Sequence, residues 1–315
     1  MTRVLVTGGA GFIGSALVRE LVIQGDSVVV YDDLCLGRER HLSGVPCLLV
    51  KGSILDSELF GETLDYYDIQ QVYHLAARPF IPEGFMTPER MIQVNSVGSL
   101  RVFLECIKRD VRTLHYSTSE VYGSAQYVPM DEKHPLNPQS SYAVSKAAGD
   151  RLAHILHKEK GFKVTILRQF NCYGPRETHP YIIPEIIKQL TSSDTLHLGD
   201  LTTQRDFTFV EDAVKGHILL MNCDKAIGEV VNQGVNEAFK MQDLVVEIAR
   251  AMGKKKFTII EDTSKLRPYD VYHLQTSYEK ANRLTGWRPD TDIVTGLRKT
   301  VEWYKQEGPW SWEEP

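Results

Sequence analysis

Apolar residues along this 315-residue chain fall into short solid runs and longer stretches with helical spacing. Runs at residues 3–7, 27–31, 48–50, 71–75, 113–117 and 164–167 are Val-, Leu- and Tyr-rich and too short for helices, which predicts buried strands. Between them, residues 15–24, about 91–109 and about 142–160 carry apolar side chains every three or four positions, which predicts helices. Gly25 closes the first of these as a C-cap. Strands alternating with helices predict an α/β fold, a Rossmann-type doubly wound parallel sheet with ligands at the strands' carboxyl ends. After residue 170 the rhythm breaks into short helical stretches (about 182–190, 241–252 and 292–306) between Gly, Pro and charged loops. The expected division is therefore 1–170 as a dinucleotide-binding Rossmann domain. Residues 171–315 follow as a smaller C-terminal α/β substrate lobe, some segments being interleaved.

Composition narrows the class. With 42% hydrophobic and 24% charged residues the chain can bury a sizeable core. A formal charge of −5 shows no basic excess, which argues against nucleic acid as a partner. No apolar run reaches membrane-spanning length, and the chain enters its first strand directly, so no membrane partner and a cytoplasmic location are expected. Five cysteines without regular spacing read as reduced thiols, and scattered histidines give no expectation of a metal.

The first strand runs straight into Gly8, Gly11 and Gly14 and then a helix. Glycines at this spacing permit a tight turn, close approach of a pyrophosphate, and helix–strand packing. Phe12 and Ile13 stand in that turn, just before the helix whose free N–H groups suit phosphates. Asp32, followed by Asp33, closes the second strand, where a carboxylate accepts both ribose hydroxyls and repels a 2′-phosphate. NAD is thus the expected cofactor rather than NADP. Further along, Tyr142 and Lys146 lie four apart on one helix face, about one crossover after Ser117-Thr118-Ser119-Glu120. An ammonium beside a phenol favours the phenolate, so Tyr142 is the candidate base.

These stretches, with His74-Leu75-Ala76-Ala77, Asn95, Ser117 to Gly123 and Arg168-x-x-Asn171-x-Tyr173-Gly174-Pro175, resemble the extended short-chain dehydrogenase/reductase family. More narrowly they resemble its nucleotide-sugar epimerases, dehydratases and decarboxylases. Arg205-Asp206-Phe207, Val210-x-Asp212 and Leu266-Arg267-Pro268 extend the likeness over nearly the whole chain. The resemblance implies that Ser53, Ile54, Leu75, Ala76, Ala77 and Asn95 join the NAD site. It implies catalytic roles for Thr118, Glu120, Tyr142 and Lys146. It also implies a UDP- or GDP-linked nucleotide sugar held by Arg78, Ser119, Asn171, Arg205 and Arg267.

Three reactions share an opening in which Tyr142 deprotonates the sugar's 4-hydroxyl. The Thr118-x-Glu120 arrangement resembles 4,6-dehydratases of the GDP-mannose and legionaminic-acid-pathway kinds, in which Glu120 would remove the C5 proton before water is lost. Some dehydratases carry Asp where Ser119 stands, so Glu120 is expected to serve as both base and acid. UDP-glucuronate decarboxylases share the Ser-Thr-Ser-Glu-Val-Tyr-Gly string, and Arg78 would suit their substrate's carboxylate. Simple 4-epimerases usually have a small or hydroxyl residue at the position of Glu120. A non-catalytic NAD sensor would lack the intact Tyr–Lys pair. Relatives dimerise through the helices holding Val94, Val97, Leu100 and Leu104, and Ala143, Ala147, Leu152, Ile155 and Leu156, so a homodimer is expected.

Overall fold

The computed structural model describes residues 1–266 and 270–307. Its strands are β1 (Arg3–Thr7), β2 (Ser27–Asp32), β3 (Leu48–Lys51), β4 (Gln71–His74), β5 (Arg112–Thr118), β6 (Val164–Gln169) and β7 (Asn171–Tyr173). They continue with β8 (Thr195–Leu198), β9 (Gln204–Phe209), β10 (Val230–Gln233), β11 (Ala238–Lys240) and β12 (Thr258–Glu261). Helices are α1 (Phe12–Ile23), α2 (Ser57–Tyr66), α3 (Ile81–Met86), α4 (Pro88–Met91), α5 (Ser99–Lys108) and α6 (Ser141–Lys160). The rest are α7 (Ile182–Ser192), α8 (Val210–Met221), α9 (Met241–Ala251), α10 (Glu279–Thr285) and α11 (Ile293–Glu307).

Seven parallel strands make the central sheet in the order β10-β6-β5-β4-β1-β2-β3. Val4, Leu5 and Val6 of β1 have no exposed surface, because one core packs α1 and α8 on one face and another packs α2, α5 and α6 on the other. That two-sided burial is why these strands read as solid apolar runs rather than alternating ones. Strand order reverses beside β1, where the chain crosses from β3 to β4. Such a switch point opens a crevice at the carboxyl ends of the strands.

The later chain builds a smaller lobe around a third core from α7, α9 and α11. Residue 170 is not a clean boundary, since β10 returns to pair with β6 and α8 covers the central sheet. The expected helix over 91–109 carries a wide turn at Ile92–Gly98. Wide turns of this kind concentrate at functional sites. Among the described residues, no helix is long and apolar enough to cross a membrane.

Candidate active site

A cavity of about 1510 Å³ lies at the switch point, floored by the strand ends and roofed by the lobe. Its dinucleotide end begins at Gly8, whose φ of +71° suits glycine and whose N–H donates to the Tyr31 carbonyl at 3.0 Å. A Cβ on Gly8 would lie 2.9 Å from the Ala76 backbone nitrogen, and one on Gly14 only 2.2 Å from the Gly8 carbonyl oxygen. The glycines thus let α1 begin directly against the turn. Gly11, Phe12, Ile13 and Gly14 line the cavity at that helix N-terminus. Asp32 is nearly buried and accepts from Ala10 N–H at 3.0 Å and Leu34 N–H at 2.8 Å. Burial raises its pKa from the ordinary carboxylate value, against those two hydrogen bonds. Asp33, Ser53, Ile54, Leu75, Ala76 and Ala77 line the same end. A cradle too tight for Cβ atoms, a helix N-terminus and a strand-end carboxylate together fit a dinucleotide.

At the other end, the Ser140 hydroxyl accepts from the Ala143 N–H at 3.0 Å and caps α6, which sets Tyr142 and Lys146 in its first turns. Thr118 ends β5, and its hydroxyl accepts from the Glu120 N–H at 3.2 Å while also bonding the Tyr142 phenol. Ser119 and Glu120 line the cavity from the short turn after β5. Tyr142 does not show the lowering expected from Lys146. Burial pushes its phenol well above the usual value and Glu120's charge adds to this, with only the Thr118 bond opposing. Lys146 is almost wholly buried, which lowers its ammonium to about 8, while Asp150 one turn on works to raise it. The chain alone therefore keeps the phenol protonated and Lys146 only marginally charged. A cationic ligand ring beside them would favour the phenolate.

Two expected site residues do other work or lie elsewhere. Asn95 is fully buried behind the cavity wall and does not line it. Its amide accepts from the Arg78 N–H at 2.7 Å and donates to the Arg78 carbonyl at 3.0 Å and to Ser145 Oγ at 2.9 Å. It clamps the loop after β4 onto α6, and the wide helical turn lets it reach. Arg267 lies outside the described residues.

Arg78 does line the cavity, but its guanidinium stands 3.4 Å from the Glu83 carboxylate on α3. Asn171 faces the cavity with a buried side-chain oxygen that has no hydrogen-bond partner, an acceptor position open to a ligand. Arg205 also lines it and pairs with Asp270 at 2.9 Å. Glu177 was not among the expected site residues; it lines the cavity nearly buried and accepts from the Gly174 N–H at 3.4 Å, and burial raises its pKa well above the ordinary carboxylate value against that bond. The signal for it was the run Gly174-Pro175-Arg176-Glu177, which resembles the dehydratases but gave Glu177 no role. Among the described residues no group of His, Cys, Asp and Glu could hold a metal ion.

Fold and cavity together define a Rossmann-type protein with a Tyr–Lys pair at its dinucleotide cleft. A family model described as GDP-mannose 4,6 dehydratase matches residues 5–300. The chain belongs to this family, within the nucleotide-sugar epimerases and dehydratases of the extended short-chain dehydrogenases/reductases. It is 30% identical to the putative UDP-glucose 4-epimerase of Methanocaldococcus jannaschii, over 96% of this chain and 98% of that one. It is also 30% identical to the UDP-N-acetyl-alpha-D-glucosaminuronate decarboxylase of Bacillus cytotoxicus, over 96% and 98%. The crystal structure of the dTDP-glucose 4,6-dehydratase from Streptomyces venezuelae, with NAD and TYD bound, superposes with a TM-score of 0.89. That enzyme is 30% identical, over 97% of each chain. The relatives span three reactions, so likeness alone leaves the chemistry to the site.

Proposed function

We propose that the protein is an NAD-dependent nucleotide-sugar 4,6-dehydratase. The observation that carries this reading is Glu120, a carboxylate two residues after Thr118 whose charge acts on the Tyr142 phenol across the same cavity. Bound NAD supplies the hydride acceptor at C4 and the donor at C6. Tyr142 takes the 4-hydroxyl proton, Lys146 holds the nicotinamide ribose, and Thr118 orients the hydroxyl. The 4-ketone acidifies C5, and Glu120 removes that proton and returns it to the leaving 6-hydroxyl as water departs. The 171–315 lobe would read the nucleotide, with Asn171 and Arg205 toward the diphosphate.

A UDP-glucuronate decarboxylase is the second reading, favoured by Arg78 on the cavity wall. Its guanidinium is already countered by Glu83, which makes it a weaker receptor for a substrate carboxylate. Incubation with UDP-GlcNAc, GDP-GlcNAc, GDP-mannose and UDP-glucuronate, with product mass as the readout, separates the cases. Loss of water supports dehydration, loss of carbon dioxide the second reading, and unchanged mass an epimerase.

NAD is expected to bind far better than NADP. In Asp32→Ala, NAD affinity by titration calorimetry should drop roughly 10- to 100-fold, the scale of hydrogen bonds to a charged group, and the gap between the two cofactors should narrow. Equal binding of both by the unmutated protein removes this role for Asp32.

The protein is also expected to be a homodimer. Ile92, Val97 and Leu104 stand exposed along the helical stretch that ends in α5, and Val144 and Ile155 along α6, an apolar surface suited to a second copy. Sedimentation at micromolar concentration should give twice the 35.7 kDa chain mass, and Leu104→Asp with Ile155→Asp should give the single-chain mass.

A further inference from the structure

Beneath the Tyr–Lys pair lies a buried ion pair that the proposed chemistry does not use. Arg168, on β6, donates from Nε to Asp150 Oδ2 at 2.8 Å and from Nη2 to Asp150 Oδ1 at 3.0 Å. Asp150 is fully buried and Arg168 nearly so. The Ser117 hydroxyl, one residue before Thr118, donates to the same Asp150 Oδ2 at 2.9 Å. The third guanidinium nitrogen reaches the Tyr122 hydroxyl at 2.9 Å, at the far end of the turn that holds Ser119 and Glu120. Tyr122 donates its own proton to Asn232 Oδ1 at 2.7 Å, and Asn232 donates onward to the Met130 carbonyl at 3.1 Å.

Every member of this set has a partner. One carboxylate and one guanidinium balance in charge and join three segments: the Lys146 helix, the end of β5, and the Glu120 turn. A buried pair is poor evidence of stability, because well-packed apolar residues commonly serve as well. What apolar residues would not give is a fixed direction between the three segments, or a charge one turn from Lys146. Around Lys146 stand Tyr142 and Asp150 from its own helix, His74 from β4 and His115 from β5. Burial holds both imidazoles neutral, and Asp150 is the only carboxylate among these four groups and the one that works to raise Lys146.

We propose that Asp150 and Arg168 form a positioning bracket, which holds the Tyr142/Lys146 helix and the Thr118–Glu120 turn in working register and supplies the counter-charge to Lys146. The proposal rests on Tyr142 and Lys146 as the oxidising pair, and is the same for dehydration, decarboxylation or epimerisation.

Two variants test it. In Asp150→Asn the carboxylate is gone and the Arg168 charge remains. The Lys146 side-chain resonance, assigned by its loss in Lys146→Met, should then titrate about 1 pH unit or more below the parent's midpoint near 8. Tyr122→Phe keeps the ring and the ion pair and cuts the tie from Arg168 to the turn, together with the Tyr122–Asn232 bond. Its Lys146 midpoint should match the parent's, while kcat falls roughly 10- to 100-fold at unchanged KM, the scale of a small misplacement.

An unmoved Lys146 midpoint in Asp150→Asn, or parent kcat in Tyr122→Phe, makes the pair a plain structural contact and overturns the bracket. Should Asp150→Asn not fold, Tyr122→Phe decides alone. If no nucleotide sugar reduces the cofactor in the parent protein, the dehydratase function fails, while the Lys146 titration still decides the bracket.

Discussion

Tyr142→Phe is expected to abolish the first oxidation. The phenol oxygen is the one group bonded to Thr118 that can take the 4-hydroxyl proton, and Phe keeps the ring's packing while removing it. Turnover should fall by roughly 10²–10⁴, the usual scale for a positioned acid–base group, with no absorbance of reduced cofactor after a nucleotide sugar is added. The pH profile of the unmutated protein should carry the same signature. Burial sets the phenol high, so formation of the ketone should rise with pH as the base ionises. Lys146, lowered to about 8, loses its ammonium above that pH, so the rise should end there and turn into a decline. A Tyr142→Phe protein that still reduces its cofactor at the parent rate removes Tyr142 from the chemistry.

Glu120→Gln should separate that oxidation from the elimination of water. Gln keeps the size and hydrogen-bonding reach of the side chain but has no carboxylate, so C4 oxidation should survive and reduced cofactor should accumulate on substrate. Water loss should drop by roughly 10²–10⁴. In deuterium oxide the parent should place label at C5, because the proton taken there leaves with the water and is replaced from a group that exchanges with solvent. Turnover of Glu120→Gln at the parent rate would leave Glu120 a loop anchor and take away the dehydratase reading's main support. A product lighter by carbon dioxide would point to Arg78 and the decarboxylase.

Much of the framework comes from local spacing. The solid runs that became β1, β2 and β4 to β6, the glycines at 8, 11 and 14, and the four-residue step from Tyr142 to Lys146 each involve residues within a few turns of one another. Backbone geometry alone then fixes what lies beside what, which is why the cleft and its Tyr–Lys pair were legible without a structure. The clamp made by Asn95 was not legible, because its partners, Arg78 and Ser145, lie 17 and 50 residues away. No spacing rule reports a side chain reaching across a loop.

The protonation of Tyr142 likewise depended on the groups the fold placed around it. Spacing supplied an ammonium that favours the phenolate, but burial of both groups outweighed it, and desolvation is a property of the assembled core. By position alone Arg78 suits a substrate carboxylate, but α3 brings Glu83 to its side. Asp150 and Arg168 meet only because β5 and β6 pair in register beneath α6, which turns three distant motifs into one buried network. Residue types and their local spacing settle which groups are available and the turns that carry them. Tertiary structure decided which of them are paired, dry or charged, because those properties are set by neighbours far off along the chain.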